Sequence, residues 1–355
     1  MSLCLSMIVK NEAHVIQRCL RSVRPYIDSY SISDTGSTDD TMEIIREELA
    51  GLPGVLVSDA WQDYSTNRNL ALDRCVGDHI LSIDADDVIV ASHPPLVLPL
   101  EFDGFAIRLH FPDYFYWQLK IIRNDPRWRW VGKLHEVMTF DGKPNVVRIN
   151  DVSMNILGAE GSQNEIGKYE RYLAILEHEP ATARNLFYHG QTLAILGRYL
   201  EAADKYLECA AKSKWDEEVY VALWQVGYLL RLSGRPIEEV LSALLRAHNY
   251  RPQRLEALVE LCEQLRLHGK YQESYDLSLI TPALSGDTLF VHPHTVWRIL
   301  EEHGLAALCL GKNDEAREYF LRVAEYDLPE AARARVEGSL GLCERSDEPA
   351  SSRQN

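Results

Sequence analysis

The chain has 355 residues, more than one domain of ordinary size, and its 46% hydrophobic and 25% charged composition is that of a globular protein. Its formal net charge of -16 is shared evenly, with 15 Lys+Arg against 23 Asp+Glu over residues 1–160 and 22 against 30 over residues 161–355. Neither half carries the basic footprint of a general nucleic-acid binder, although a local basic channel stays compatible with these totals. Seven scattered cysteines with no CxxC pair fit a reducing compartment, and no segment is apolar for long enough to predict a membrane span. The expectation is a soluble, cytoplasmic protein.

The first 90 residues alternate strand and helix signals. Leu3–Val9 is a short apolar run, 13–23 has helical spacing, and 29–33 leads into Asp34-Thr35-Gly36-Ser37-Thr38-Asp39. Residues 41–50 read as helix, 55–58 as strand, 67–75 as helix, and 79–83 as a buried strand ending in Asp84-Ala85-Asp86-Asp87. Such alternation predicts a parallel sheet flanked by helices. From Phe105 the signals change to short strands at 105–110, 119–123 and 136–140, which predicts an antiparallel extension.

After about residue 160 the chain reads as helical. Turn glycines recur at Gly197, Gly234, Gly269 and Gly311, each followed by a basic residue and then an acidic helix start. Intervals of 35 to 42 residues lie near the period of tetratricopeptide repeats, against which an irregular helical domain is the plainer reading. The predicted organisation is an α/β domain over 1–160, an all-α repeat domain over 161–345 and a disordered tail over 346–355.

Asp84 and Asp86 end an apolar strand, where open α/β sheets place their ligands. Residues two apart on extended backbone project to one side, so both carboxylates can face one pocket and offer hard oxygen ligands to Mg²⁺ or Mn²⁺. Alone, such a pair is as compatible with a solvated turn or a helix cap.

Its company along the chain carries more weight. Met7-Ile8-Val9-Lys10-Asn11-Glu12 ends the first strand, the Asp34–Asp39 segment ends the second, and Asn67-Arg68-Asn69 precedes the Asp84 strand. In that order these segments resemble the family 2 glycosyltransferases of GT-A fold, a Rossmann-like mixed sheet flanked by helices. Trp130-Val131-Gly132-Lys133-Leu134-His135-Glu136 is similar to a segment of the subgroup that joins this domain to tetratricopeptide repeats and includes bacteriocin S-glycosyltransferases.

The resemblance implies that Asp34 reads the base or ribose of a nucleotide-sugar donor, that Arg68 contacts base or diphosphate, and that Asp39 either contacts the donor or caps a helix. It also implies metal ligation by Asp86, with Asp84 on ribose or metal-bound water and His135 as third ligand; the metal is Mn²⁺ or Mg²⁺ and the donor a UDP-sugar. Ser37, Thr38 or Asp39 is expected to cap the following helix. For an inverting reaction Glu136 is the first candidate base and Asp113 the second.

The aromatic and basic stretches Tyr114–Trp117 and Arg127–Trp130 suit either acceptor stacking or core packing, and Lys168–Tyr172 either reaches the site or forms a charge-paired helix surface. The acceptor is expected to be a peptide or protein, with glycan, lipid-linked and DNA acceptors open and oligomerisation possible through the helical domain. Two other readings are a repeat scaffold with an inactive catalytic domain, disfavoured because Asp34, Arg68, Asp84, Asp86 and His135 are all present, and a nucleotidyltransferase, disfavoured because Lys10-Asn11-Glu12 supplies no Gly-rich phosphate loop.

Overall fold

The computed structural model describes residues 2–91, 94, 96–111, 114–157, 165–279 and 295–346. Contacts divide the chain into two compact units, Met1–His178 and Glu179–Asn355. Asp113 and the tail beyond Ser346 lie outside the described residues.

The first unit is built on strands β1 (Leu3–Val9), β2 (Ser29–Asp34), β3 (Gly54–Ser58), β4 (His79–Ser82), β5 (Val88–Ala91), β6 (Gly104–His110), β7 (Phe115–Arg123) and β10 (Val146–Asn155). Their order across the sheet is β3-β2-β1-β4-β7-β6-β10-β5. β3, β2, β1 and β4 run parallel, and β7 is antiparallel to both β4 and β6. Helix α1 (Ile16–Val23) buries Ile16, Cys19, Leu20 and Val23, the i, i+3, i+4, i+7 stripe that sits on a sheet. Because β1 lies between β2 and β4, the chain leaves it in both directions, and the loops after these three strands meet at the switch point where such sheets bind ligands.

The expected extension is antiparallel at β4–β7–β6 and β10–β5, but β10 runs parallel to β6, and two further differences from expectation appear. The segment read as a strand over 136–140 becomes β9 (Val137–Phe140), which pairs with β8 (Trp128–Val131) in a separate two-stranded sheet. Trp128 is fully buried against Phe140, with ring centroids 4.6 Å apart, so this hairpin makes its own small core. β10 gave no strand signal because its register on β6 slips between Arg148 and Ser153, which breaks the two-residue alternation midway.

Helix α3 (Tyr64–Asp73) starts three residues earlier than its apolar spacing suggested, because Asp63 caps it by accepting a hydrogen bond from the Thr66 backbone N–H at 2.7 Å. Helix α2 (Thr41–Glu48) follows β2, and α4 (Glu165–Leu176) closes the first unit.

The second unit is a run of antiparallel helix pairs. α5 (Ala183–Ile195) packs on α6 (Tyr199–Lys212), α7 (Asp216–Leu232) on α8 (Ile237–Tyr250), α9 (Glu256–Leu267) on α10 (Tyr271–Ser278) and α11 (Thr295–Cys309) on α12 (Asn313–Ala324), with α13 (Glu330–Ser346) packed last. The four turn glycines end the first helix of each pair at φ between 70° and 76°. A second repeated position lies seven residues earlier, at Gly190, Gly227, Cys262 and Gly304. A Cβ added at Gly227 would stand 2.5 Å from Leu244, and one at Gly304 2.9 Å from Phe320, so small residues there set how closely the paired helices approach. Among the described residues no helix is long and apolar enough to cross a membrane.

Candidate active site

The loops after β1 and β2 are sewn together by hydrogen bonds. Asn11 Oδ1 accepts from the Thr38 N–H at 2.7 Å, Ser37 Oγ from the Asn11 N–H at 2.9 Å, and Thr41 Oγ1 from the Glu12 N–H at 2.8 Å. Asp34 is 2% exposed, and its carboxylate accepts from the Gly36 and Ser37 N–H groups at 3.1 and 3.2 Å across a turn that holds Gly36 at φ 105°. Asp39 bridges both loops, accepting from Thr41 and from the Ala13 N–H. Burial opposes its charge, yet these hydrogen bonds hold its carboxyl below the usual range. The α2 cap position belongs to Asp40, whose side chain makes no capping bond; Asp39, one residue earlier, holds the Thr41 N–H instead.

Arg68 joins three elements. Its Nη2 donates to Asp84 Oδ1 at 2.6 Å and its Nε to Glu136 Oε1 at 2.5 Å, while its guanidinium lies 5.1 Å from the Trp130 ring centroid. The flanking asparagines aim it. Asn67, fully buried, ties α3 to the preceding loop by accepting from Gln62 N–H and donating to Ala60 O. Asn69 makes a two-way clamp on the Trp130 backbone, donating to its O at 2.9 Å and accepting from its N–H at 3.0 Å. The motif Asn67-Arg68-Asn69 is therefore two backbone clamps around one ion-paired cation.

Asp84 to Asp87 form a hydrogen-bonded turn, with Asp87 N–H on Asp84 O at 3.1 Å, rather than the extended strand end expected. The alternation nevertheless survives: Ile83, Ala85 and Asp87 are buried, while Asp84 and Asp86 remain open. Cys19 Sγ and Arg18 Nη2 hold the Asp84 and Asp86 carbonyl oxygens from α1, each at 3.4 Å.

The electrostatics of this cleft are one-sided. Enclosure opposes the charge on Asp84, but Arg68 and Lys120 bring its carboxyl down to about 2. Glu12 is pushed up to about 7 by burial and by Asp86, Asp84 and Asp39, and Asp87 to about 7 by burial and Asp84. Asp86 is raised by the same two causes. Among the described residues Glu12, Asp39, Asp84, Asp86, Asp87 and Glu136 outnumber the cations beside them, Arg68, Lys120 and Lys168, with Arg18 on the Asp86 carbonyl. A group of oxygen donors with that excess of negative charge is chemically suited to a hard divalent cation. Among the described residues, however, no three His, Cys, Asp or Glu side chains converge as a ready-made cage. His135 sits at φ 52° with its ring 5.9 Å from that of Tyr172.

Lys120 and Glu12 received no role in the sequence reading. Lys120 is 9% exposed in β7, between Leu119 and the buried Ile121, and its charge acts on Asp84 and Asp87. The Arg127–Trp130 stretch belongs to the β8–β9 core. In the other stretch Phe111, Tyr114 and Tyr116 stack, while Trp117 lies between Arg108 at 5.2 Å and Arg148 at 5.5 Å.

The carboxylate turn and the arginine held against it lie at the switch point of a mixed sheet, where open α/β sheets bind their ligands. The sequence profile described as "Glycosyl transferase family 2" matches residues 4–156, so the N-terminal part of the chain carries a domain of that family. The chain is similar to the SPbeta prophage-derived glycosyltransferase SunS of Bacillus subtilis, 26% identical over 215 residues that make up 56% of this chain and 50% of that protein. It is 38% identical over 80 residues to an uncharacterized glycosyltransferase of Rickettsia felis, covering 22% and 27%. Over 89 residues it is 43% identical to a TPR repeat-containing protein of Synechococcus elongatus, covering 25% and 21%. The matches span from about a fifth to half of these relatives' lengths. Among solved structures, MamA shares 17% identity at a TM-score of 0.35 over 46% of this chain and 88% of its own, and the TPR protein YrrB 14% at 0.35 over 51% and 84%.

Proposed function

We propose that the protein is an inverting, metal-dependent glycosyltransferase that moves a hexose from a UDP-sugar to a peptide or protein acceptor in the cytoplasm. The observation that carries this reading is Arg68, tied at once to Asp84 and Glu136 beside an excess of carboxylates. These ion pairs tie together the Asn67–Asn69, Asp84–Asp87 and Trp130–Glu136 segments, to which this reading gives the donor and the metal. Asp86 and Asp84 would hold Mn²⁺ or Mg²⁺ with His135. When bound, that ion supplies charge neutralisation for a departing diphosphate.

Each protein group then has a defined task. Asp34 and Asp39 fix the loops that form the nucleoside pocket and offer their remaining lone pairs to base or ribose. Arg68, oriented by two carboxylates, presents its other N–H groups to the phosphates. The acceptor attacks the anomeric carbon from the face opposite the diphosphate. The bond from carbon to phosphate oxygen breaks with its electron pair staying on the phosphate. The acceptor's proton passes to Glu136 Oε2, because Oε1 is occupied by Arg68. Asp113 is the alternative base.

Support for a polypeptide acceptor comes from the second unit. A cleft of about 420 Å³ across α6, α7 and α8 is walled by Leu207, Leu223 and Val226, with Glu238, Glu239 and Arg246 beside them, a lining suited to apolar side chains of an extended chain.

UDP-sugar hydrolysis is the direct measurement. Turnover is expected with Mn²⁺, to fall about 100-fold or more in Asp86→Asn, and to be lost in Glu136→Gln while UDP binding is kept. Metal-independent turnover that Asp86→Asn leaves intact would overturn the site assignment. Full activity in Glu136→Gln would move the base to Asp113. Mass spectrometry of polypeptides co-expressed with the enzyme reads the acceptor, and a sugar found only on glycans, lipids or DNA would overturn the acceptor reading.

A further inference from the structure

Arg68, Lys120 and Lys168 act on the carboxylates of the cleft, and they differ in freedom. Arg68 is locked between Asp84 and Glu136, with its side chain 11% exposed, and Lys120 is buried in β7. Lys168 is half-buried on α4, the last helix of the first unit. Its Nζ lies 5.8 Å from the centroid of the Tyr172 ring and 6.0 Å from that of Tyr169. Tyr172 in turn is placed by three contacts: its hydroxyl shares a hydrogen bond of 3.0 Å with the Tyr64 hydroxyl on the first turn of α3, its ring meets His135 edge-on, and Tyr169 packs against it at 5.8 Å. Tyr64 carries Trp61 on its far side, at 4.9 Å and 45% exposed. A wall of rings therefore runs from the loop before α3 to α4, and Lys168 stands on it, close enough for its charge to act on both Glu12 and Asp86.

We propose that Lys168 is a donor-site residue whose ammonium closes on the diphosphate of the nucleotide sugar and remains on the departing nucleoside diphosphate, seated on the rings of Tyr169 and Tyr172. The proposal rests on the donor reading given above. An ammonium on a flexible four-carbon stem brings three rotatable donors and a compact charge, which suits a phosphate that gains charge as the sugar leaves. Lys168 keeps its proton throughout, and the acceptor's proton goes to the base. The cation–π contacts are weak ones at about 6 Å, so they hold the side chain near the cleft without trapping it. The shared hydroxyl bond to Tyr64 ties α4 to the same helix that presents Arg68, so the two cations are held to one frame.

Calorimetric titration of the full chain in Mn²⁺ tests this. UDP, GDP, ADP and CDP are each titrated with their nucleosides, and the tightest diphosphate is carried forward. Lys168→Met is expected to weaken that diphosphate by about tenfold or more, to leave its nucleoside within twofold, and to be largely rescued by Lys168→Arg. Lys168→Gln repeats the measurement if Lys168→Met folds poorly, which an unchanged thermal midpoint checks. Equal weakening of nucleoside and diphosphate would mean that Lys168 only packs the wall. Tighter Mn²⁺ binding with diphosphate affinity unchanged would make it a counter-ion to the carboxylates. Either result overturns the clamp while leaving the donor reading in place. Binding of none of the four diphosphates by the wild type would overturn the donor reading and the clamp together.

Discussion

Asn11 and His135 are the non-glycine residues held at positive φ among those described, at 57° and 52°, and both stand in segments singled out from the sequence. Backbone of this kind is maintained only where surrounding contacts over-determine it, and it concentrates at ligand sites. For Asn11 the contacts are known: its side-chain oxygen holds Thr38 N–H, so residue type and backbone serve one purpose, the joining of the loops after β1 and β2. Asn11→Ala should lose both that bond and the tolerance of left-handed backbone, at a cost of about 1–3 kcal/mol. Asn11→Gly should recover the backbone part and retain a stability between the two; chemical denaturation of the three proteins measures this, and equal loss in both variants would place the whole effect in the hydrogen bond. At this scale the sequence was legible where a residue type and its spacing share one cause, as in the alternation that leaves Asp84 and Asp86 less buried than Ile83, Ala85 and Asp87. It was not legible where the cause is a partner far along the chain. Nothing near Glu136 signals that Arg68, 68 residues earlier, lies against it, and nothing in Leu119-Lys120-Ile121 marks the lysine as facing carboxylates.

The helix pairs of the second unit depend on close approach as much as on turns. Leu244 of α8 fills the space over Gly227 of α7, so a Cβ there would sit 2.5 Å from Leu244 Cδ2 and 3.2 Å from the Leu244 backbone nitrogen. The side chain has rotamers to use, but the backbone atom does not move without shifting the helix. Gly227→Ala should therefore destabilise by about 1–3 kcal/mol through overpacking, although alanine is the better helix former in isolation. A thermal midpoint equal to or above that of the wild type would show that α8 yields without cost. The turn glycines were readable because positive φ at a helix end demands glycine almost uniquely. The inner small residues were obscured because Cys262 stands where the other pairs have glycine. In the first unit β1, β3 and β4 were legible from short, mainly apolar runs, and β2 from the Asp34–Asp39 segment that follows it. β10 was hidden by its bulge, and β9 was assigned to the main sheet because short strands carry no signal of their partner.

On the scale of the whole molecule the buried titratable groups pull stability in opposite directions. His79, His248 and His303 are buried in the two units, and burial lowers the proton affinity of each. Among the described residues neither ring nitrogen of His79 has a hydrogen-bond partner. The unfolded chain protonates these residues more readily than the folded one. Their contribution to stability is therefore present above about pH 6.5 and is lost as pH falls through the lower folded values. Glu260 acts with the other sign. Burial pushes its carboxyl up to about 7, only partly offset by Arg231, whose Nε is 4.0 Å away, by Arg298 and by a hydrogen bond with Trp224. The unfolded chain ionises it near its ordinary value, so its cost is largest above about pH 7 and disappears on acidification. Glu260→Gln, neutral at every pH and similar in shape, should raise the thermal midpoint at about pH 8, with the gain shrinking towards about pH 5, where the wild-type residue is itself protonated. The acid loss from the histidines should then be steeper in the variant than in the wild type, because the opposing carboxylate has been removed. Circular dichroism melts of both proteins across that range measure the two slopes. A lower midpoint for Glu260→Gln at about pH 8 would mean that the Arg231–Glu260 pair outweighs the burial of its charge.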